Sequence, residues 1–109
     1  MKRAIEGLAG LRARYDKVSV TGNREFNPGW HTAMDLSCLL TVSEAVTRAA
    51  LTRKESRGGH FRLDYEAKDE AQGKVNTVIR KAPNGTMEVV QEPVPSLTDE
   101  QKAIIEEMK

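Results

Sequence analysis

The sequence predicts a mainly α fold: an antiparallel helical bundle with one long central helix, followed by a β-hairpin and a short C-terminal helix. Three observations carry this expectation. Ala4, Leu8, Leu11 and Tyr15 recur at helical steps near the start of the chain. Nothing stops a helix between Trp30 and about Ser56. Two runs rich in β-branched residues, "KVNTVIRK" and "TMEVVQE", flank the turn "APNG".

The first helix is expected over about Lys2 to Tyr15. Gly7 and Gly10 each cost about 1 kcal/mol against alanine in a helix interior, so it needs a packing partner to persist. Asp16 to Phe26 reads as a connecting loop, with turn chemistry at Thr21-Gly22-Asn23. "NPGW" starts the central helix: Asn27 can cap orphan N–H groups, and Pro28 fits the first helical position. That helix is expected over 28–56. Its polar residues Ser37, Thr41, Glu44, Arg48 and Thr52 form one stripe, and much of the remaining girth is apolar. Such a helix is covered from more than one side. Cys38, with Met34, Leu39 and Val42 around it, is expected to be a buried apolar thiol.

Arg53 and Lys54 in the last turn would complement the helix dipole, and Gly58 would serve as the left-handed residue just beyond it. A hairpin is expected over 74–92, with Pro83 presetting a type I turn and Gly85 closing a bulge. Thr98 and Gln101 form a capping box for a last helix over 99–108. The chain thus divides into a helical portion, 1–65, and an extended tail, 66–109, within a single domain.

The 109 residues are enough for one small domain with a thin core. Seventeen Lys+Arg against sixteen Asp+Glu leave a net charge of +1, which gives no push toward nucleic acid. One cysteine excludes an internal disulfide and fits a reducing, cytoplasmic setting. No apolar run reaches the roughly 18 residues of a membrane span.

Chemistry concentrates in "RKESRGGHFRLDY", Arg53 to Tyr65. One reading makes His60 an acid or base and Arg57 an anion clamp. The other has Arg57 and His60 hydrogen-bonding backbone carbonyls and carboxylates of a neighbouring domain. His31 and His60 sit at opposite ends of the central helix and cannot share a metal. No phosphate-binding glycine motif, cysteine pair or nucleophile elbow is present, so no catalytic, cofactor-binding or metal residue is assigned.

"EFNPGW", "MDLSCLLTVSEAVTRAAL" and "RKESRGGHFRLDY", in this order, resemble the C-terminal region of the succinate dehydrogenase and fumarate reductase flavoprotein subunits. L-aspartate oxidase carries a similar "ESRG" segment, and the tail "KVNTVIRKAPNGTMEVVQEPVPSL" looks like the longer ending of certain succinate dehydrogenases. The resemblance implies a spectrin-like three-helix packing that lacks its first helix. It also implies a noncatalytic domain that packs against an FAD domain, with FAD and the substrate-binding residues elsewhere in the parent chain. Glu55, Arg57, Gly58, His60, Arg62, Asp64 and Trp30 are then docking or structural residues. The parent would interconvert succinate and fumarate with an iron–sulfur subunit as partner, on the cytoplasmic face of a membrane. Two alternatives belong beside it: the same domain of L-aspartate oxidase, and a free-standing helical interaction module.

Helical periodicity begins directly after Met1 without a cap, which agrees with a fragment. The fragment alone is expected to bind no cofactor, and to self-associate as a dimer through the bare side of the central helix. Glu66 stands where the family usually has proline, and no aromatic falls near Gln72. Residues 66–73 therefore have little apolar surface to bury.

Overall fold

The computed structural model describes residues 1–108. Helix α1 spans Lys2–Tyr15 and α2 spans Pro28–Thr52. A single 3₁₀ turn, Gln72–Lys74, leads into strands β1 (Val75–Lys81) and β2 (Met87–Pro93), and α3 covers Asp99–Glu107.

Asn27 does two jobs at the start of α2. Its Oδ1 accepts from the N–H groups of Gly29 (3.0 Å) and Trp30 (3.4 Å), satisfying donors that the first turn cannot. Its Nδ2 donates to the carbonyls of Thr21 and Asn23, which folds the preceding loop onto the cap. Phe26, just before it, has φ 55° and is fully exposed. A bulky aromatic held in the left-handed region costs free energy.

The two helices run antiparallel. Arg12 meets Thr41 and Glu44, while Tyr15 and Val18 group with Leu36 and Leu40. The hairpin is antiparallel, with Val75 opposite Pro93 and Lys81 opposite Met87. Its turn closes through Gly85 N–H to Ala82 O and Ala82 N–H to Thr86 O, both 2.8 Å, with Gly85 at φ 81°. This is the type I turn plus glycine bulge that "APNG" specifies. Both strands lie on α2.

The side of α2 away from α1 and the hairpin is open. Leu39, Val42 and Val46 are 61%, 60% and 63% exposed, and Leu40 is the only fully buried hydrophobic among the described residues. Cys38 belongs to the same open side and is exposed, not buried as its helical neighbours suggest. Those neighbours, Met34, Leu39 and Val42, are themselves uncovered.

A second difference concerns the end of α2. The helix stops at Thr52, not near Ser56, and Arg53 caps it in an extended conformation. Arg53 and Lys54 are therefore outside its last turn. Gly58 does take a positive φ of 58°, but in a tight turn five residues past the helix cap. Arg57 and His60 pair across that turn through two backbone hydrogen bonds, 2.8 and 3.0 Å.

Candidate docking site

The chain leaves α2 extended, and in an extended chain alternate residues share a side. Arg53, Glu55 and Arg57 therefore converge. The Glu55 carboxylate is completely buried. It accepts from Arg53 Nε (2.7 Å), from Arg57 Nε (3.1 Å to each oxygen) and from the Asp69 backbone N–H (2.9 Å), and its Oε1 forms an ion pair with Arg53 Nη2 at 2.6 Å. Burial alone would raise its pKa. The hydrogen bond from Arg57, aided by those from the Asp69 N–H and Arg53, outweighs burial and lowers it from 4.5 to about 2. Glu55 is thus a fixed anion near neutral pH.

The same arginines reach forward in sequence. Arg53 Nη2 donates to Gln72 O (2.7 Å) and Arg57 Nη2 to Asp69 O (3.1 Å). A Cβ on Gly73 would lie 2.7 Å from Arg57 Nη2, so the guanidinium occupies the space that only glycine leaves there. Asp69 in turn caps the 3₁₀ turn, accepting from the N–H groups of Ala71 and Gln72. Residues 66–73 bury little apolar surface, yet they are fastened by polar bonds, including Ser56 N–H to Ala67 O at 3.1 Å.

Arg62 closes the end of α2. Its Nη1 donates to the carbonyls of Ala50 (3.1 Å), Leu51 (3.0 Å) and Arg53 (2.9 Å), groups that a helix terminus leaves without partners. Its Nε and Nη2 grip Asp64 in a two-point ion pair of 2.9 and 2.6 Å, and its guanidinium stacks on Tyr65 at 4.7 Å. That ion pair holds the Asp64 carboxyl below its usual range. Ser56 ties together the clasp that residues 53–73 form. Its Oγ accepts from Arg62 N–H and donates to Tyr65 O, both 2.8 Å.

Of the residues singled out from sequence, Glu55, Arg57, Gly58, His60, Arg62 and Asp64 come together here. His60 contributes a ring nitrogen 3.4 Å from Arg53 O. Trp30 does not join them. It lies at the other end of α2, half-buried, with its ring edge-on to His31 at 5.9 Å. Ser56, Asp69 and Gly73 escaped the sequence reading. The R-x-E-x-R spacing was the available signal for an extended, alternating segment.

The chemistry of this arrangement is self-satisfying. The arginines spend their donors on carbonyls and carboxylates within the clasp, and the Glu55 carboxylate is sealed from solvent. No group of three or more metal-ligating side chains occurs among the described residues. On its outer side Phe61 and Leu63, which flank the buried Arg62, are 67% and 84% exposed, beside the exposed Lys54 and Asp64.

The family described as "Fumarate reductase flavoprotein C-term" matches residues 1–103 of the chain. The chain is 33% identical over 95 residues to the fumarate reductase flavoprotein subunit of Haemophilus influenzae, covering 86% of this chain and 16% of that protein. It is 38% identical over 79 residues to the succinate dehydrogenase flavoprotein subunit of Coxiella burnetii, covering 72% and 14%. A solved structure, Mycobacterium smegmatis Sdh1 in complex with UQ1, matches with a TM-score of 0.82 at 41% identity, covering 87% of this chain and 16% of that one. The chain therefore spans about 16% of the length of such relatives.

Proposed function

The chain belongs to the fumarate reductase flavoprotein C-terminal family, and from that premise we propose that it is a noncatalytic docking domain, packed against the FAD domain of its own parent subunit. The parent, on this reading, carries FAD, interconverts succinate and fumarate, and passes electrons to an iron–sulfur subunit. Among the described residues no helix is long and apolar enough to cross a membrane, and membrane attachment is assigned to partner subunits at the cytoplasmic face.

The observation that carries this reading is the inverted alternation of the clasp. Glu55 and Arg62 turn inward and are neutralised by Arg53, Arg57 and Asp64, while Phe61 and Leu63 turn outward. A surface built to bind a small polar substrate would present the arginines. A surface built to meet another protein face presents the hydrophobics and keeps them rigid. Leu39, Val42 and Val46 extend the same logic along α2. In the isolated chain that stripe is available to a second copy, with the long helices facing each other.

The test is co-expression with the upstream, flavin-bearing part of the parent subunit. The two pieces are expected to copurify, with the yellow flavin on the upstream piece. Leu63→Asp and Val46→Asp are expected to abolish copurification while each variant chain keeps its own melting transition. Copurification that survives both substitutions would remove these faces from the docking surface. A flavin band on the isolated chain that survives gel filtration would overturn its noncatalytic assignment.

A further inference from the structure

A nine-residue helix on its own is marginal in water, so α3 needs a surface to pack on. The principal packed pairs of elements are α1 with α2, the two strands with each other and with α2, and the 3₁₀ turn with β1; α3 takes part in none of them. Its capping box between Thr98 and Gln101 fixes only its first turn. Ile104, Ile105 and Met108 lie exposed along it. Glu100 stands four residues before Ile104 and Glu107 three after it, so carboxylates bracket this apolar face. The tether to the hairpin is free to turn. Val94 N–H donates to Lys74 O at 2.9 Å, and residues 95–97 make no further hydrogen bond to the hairpin among the described residues.

A cleft of about 660 Å³ lies between the helical pair and the hairpin. Arg12, Arg48, Arg80 and Lys81 outnumber Glu44 in its walls, and Ile79 and Met87 supply apolar surface. Glu44 is shared between Arg12 and Arg48, and Arg80 pairs with Glu92. Lys81 makes no ion pair among the described residues. An apolar floor ringed by cations complements an apolar helix face bracketed by carboxylates.

The tether favours the chain's own α3 as occupant. The cleft lies at the turn end of the hairpin, beside Lys81 and Met87, and α3 departs from Pro93 at the opposite end. Paired positions at about 3.3 Å each put these ends roughly 20 Å apart. Val94 to Thr98 span up to about 17 Å, and Ile104 lies about 9 Å further along the helix. Together these lengths exceed the gap, so a reversal at the tether lays the apolar face of α3 at the cleft. A segment on so short a tether is present at millimolar effective concentration, above any second copy in a micromolar solution.

We propose that α3 is a strap that closes on the cleft of its own chain, setting Ile104, Ile105 and Met108 against Ile79 and Met87, with Glu100 and Glu107 beside Arg80 and Lys81. The strap is separate from the proposed FAD-domain face, because Leu39, Val42 and Val46 lie across α2 from Thr41, Glu44 and Arg48.

Small-angle X-ray scattering on the 109-residue chain is the test, at concentrations where sedimentation shows a monomer, with thermal melting to confirm that each variant folds. The open arrangement has a radius of gyration of 19.8 Å. Closure is expected to lower it by at least about 2 Å, toward the roughly 13 Å of a compact domain this size. Carbodiimide cross-linking is expected to join Lys81 to Glu100 or Glu107 within one chain, at a yield that does not change with protein concentration. E100K with E107K is expected to return the radius to the open value, because like charges now meet. Adding R80Q and K81E to that same chain is expected to restore the smaller radius, since the facing charges are again opposite. A wild-type radius at the open value, cross-links confined to dimers, or a fourfold variant as open as the double one would overturn the proposal.

Discussion

The helical pair and the clasp are held together by opposite means. Where α1 crosses α2, one hydrophobic side chain, Leu40, is fully buried among the described residues. In the clasp the buried residues are Glu55, Ser56 and Arg62, all polar. The better-enclosed part of this small molecule is thus the ionic one. On the proposed docking reading, the difference follows from what each must do. Helices that keep apolar stripes for a neighbour cannot also spend them on a core of their own. The segment that sets the direction of the chain after α2 then has to be fixed by directional bonds, and every buried charge in it needs a partner. Hydrophobic surface stays available for docking, and charge fixes the shape.

Glu55→Ala is the change that should break this contrast most sharply. It leaves the Arg53 and Arg57 guanidiniums facing one another without their anion, and frees the Asp69 N–H. Removing one partner from a buried charged cluster is strongly destabilising. A drop in melting temperature of more than about 10 °C is expected, with Ser56→Ala well below it. A drop no larger than that of a surface alanine substitution would show that the clasp is ornamental.

The same carboxylate gives the clasp an acid signature. Its folded pKa lies near 2 and its ordinary value is 4.5. A depressed folded pKa means that the unfolded chain binds the proton first, so folding loses support as pH falls. The stability owed to Glu55 is complete above about pH 4.5 and is lost progressively toward pH 2. Glu55→Gln should flatten the fall in melting temperature over that window. Asp64, lowered by Arg62, acts in the same direction from a more exposed position.

The elements with local signals were legible in the sequence. Asn27 and Pro28 announced the start of α2, "APNG" announced its bulged turn, and Thr98 with Gln101 announced α3. The end of α2 was not legible from residue types, because nothing in "RKES" forbids a helix. The stop comes from nine or more residues downstream, where Arg62 takes the carbonyls of Ala50, Leu51 and Arg53. Glu55 is drawn off the helix by partners at Arg57 and Asp69. The same non-local bonds fasten 66–73, which no apolar pattern marked. Family resemblance brought out the motif as a unit, but its inward and outward alternation emerged only with the extended backbone. Cys38 was misjudged for the reverse reason: its sequence neighbours are apolar, and burial depends on what covers them.

Within the helical pair, Leu40→Ala removes the one enclosed hydrophobic and should cost about 2 kcal/mol. Leu39→Ala, one residue away on the open side, should cost only a few tenths, mostly from the unfolded chain. Urea melts of the two variants make the comparison. Equal losses would mean that the open side is covered in solution, by a second copy or by the chain itself.

The gentlest probe of that open side changes no residue at all. Cys38 is the only cysteine in the chain, and it sits with Leu39 and Val42 on the uncovered flank of α2. A thiol reagent such as Ellman's reagent therefore reads the exposure of this flank directly, with no effect on stability before it reacts. At dilute concentration the isolated chain should release one equivalent of product as fast as an unhindered thiol. If copies pair through the long helices, the rate should fall as protein concentration rises. Assembly with the flavin-bearing part of the parent should protect Cys38. A thiol that reacts equally fast before and after assembly would show that the FAD domain covers some other side of α2.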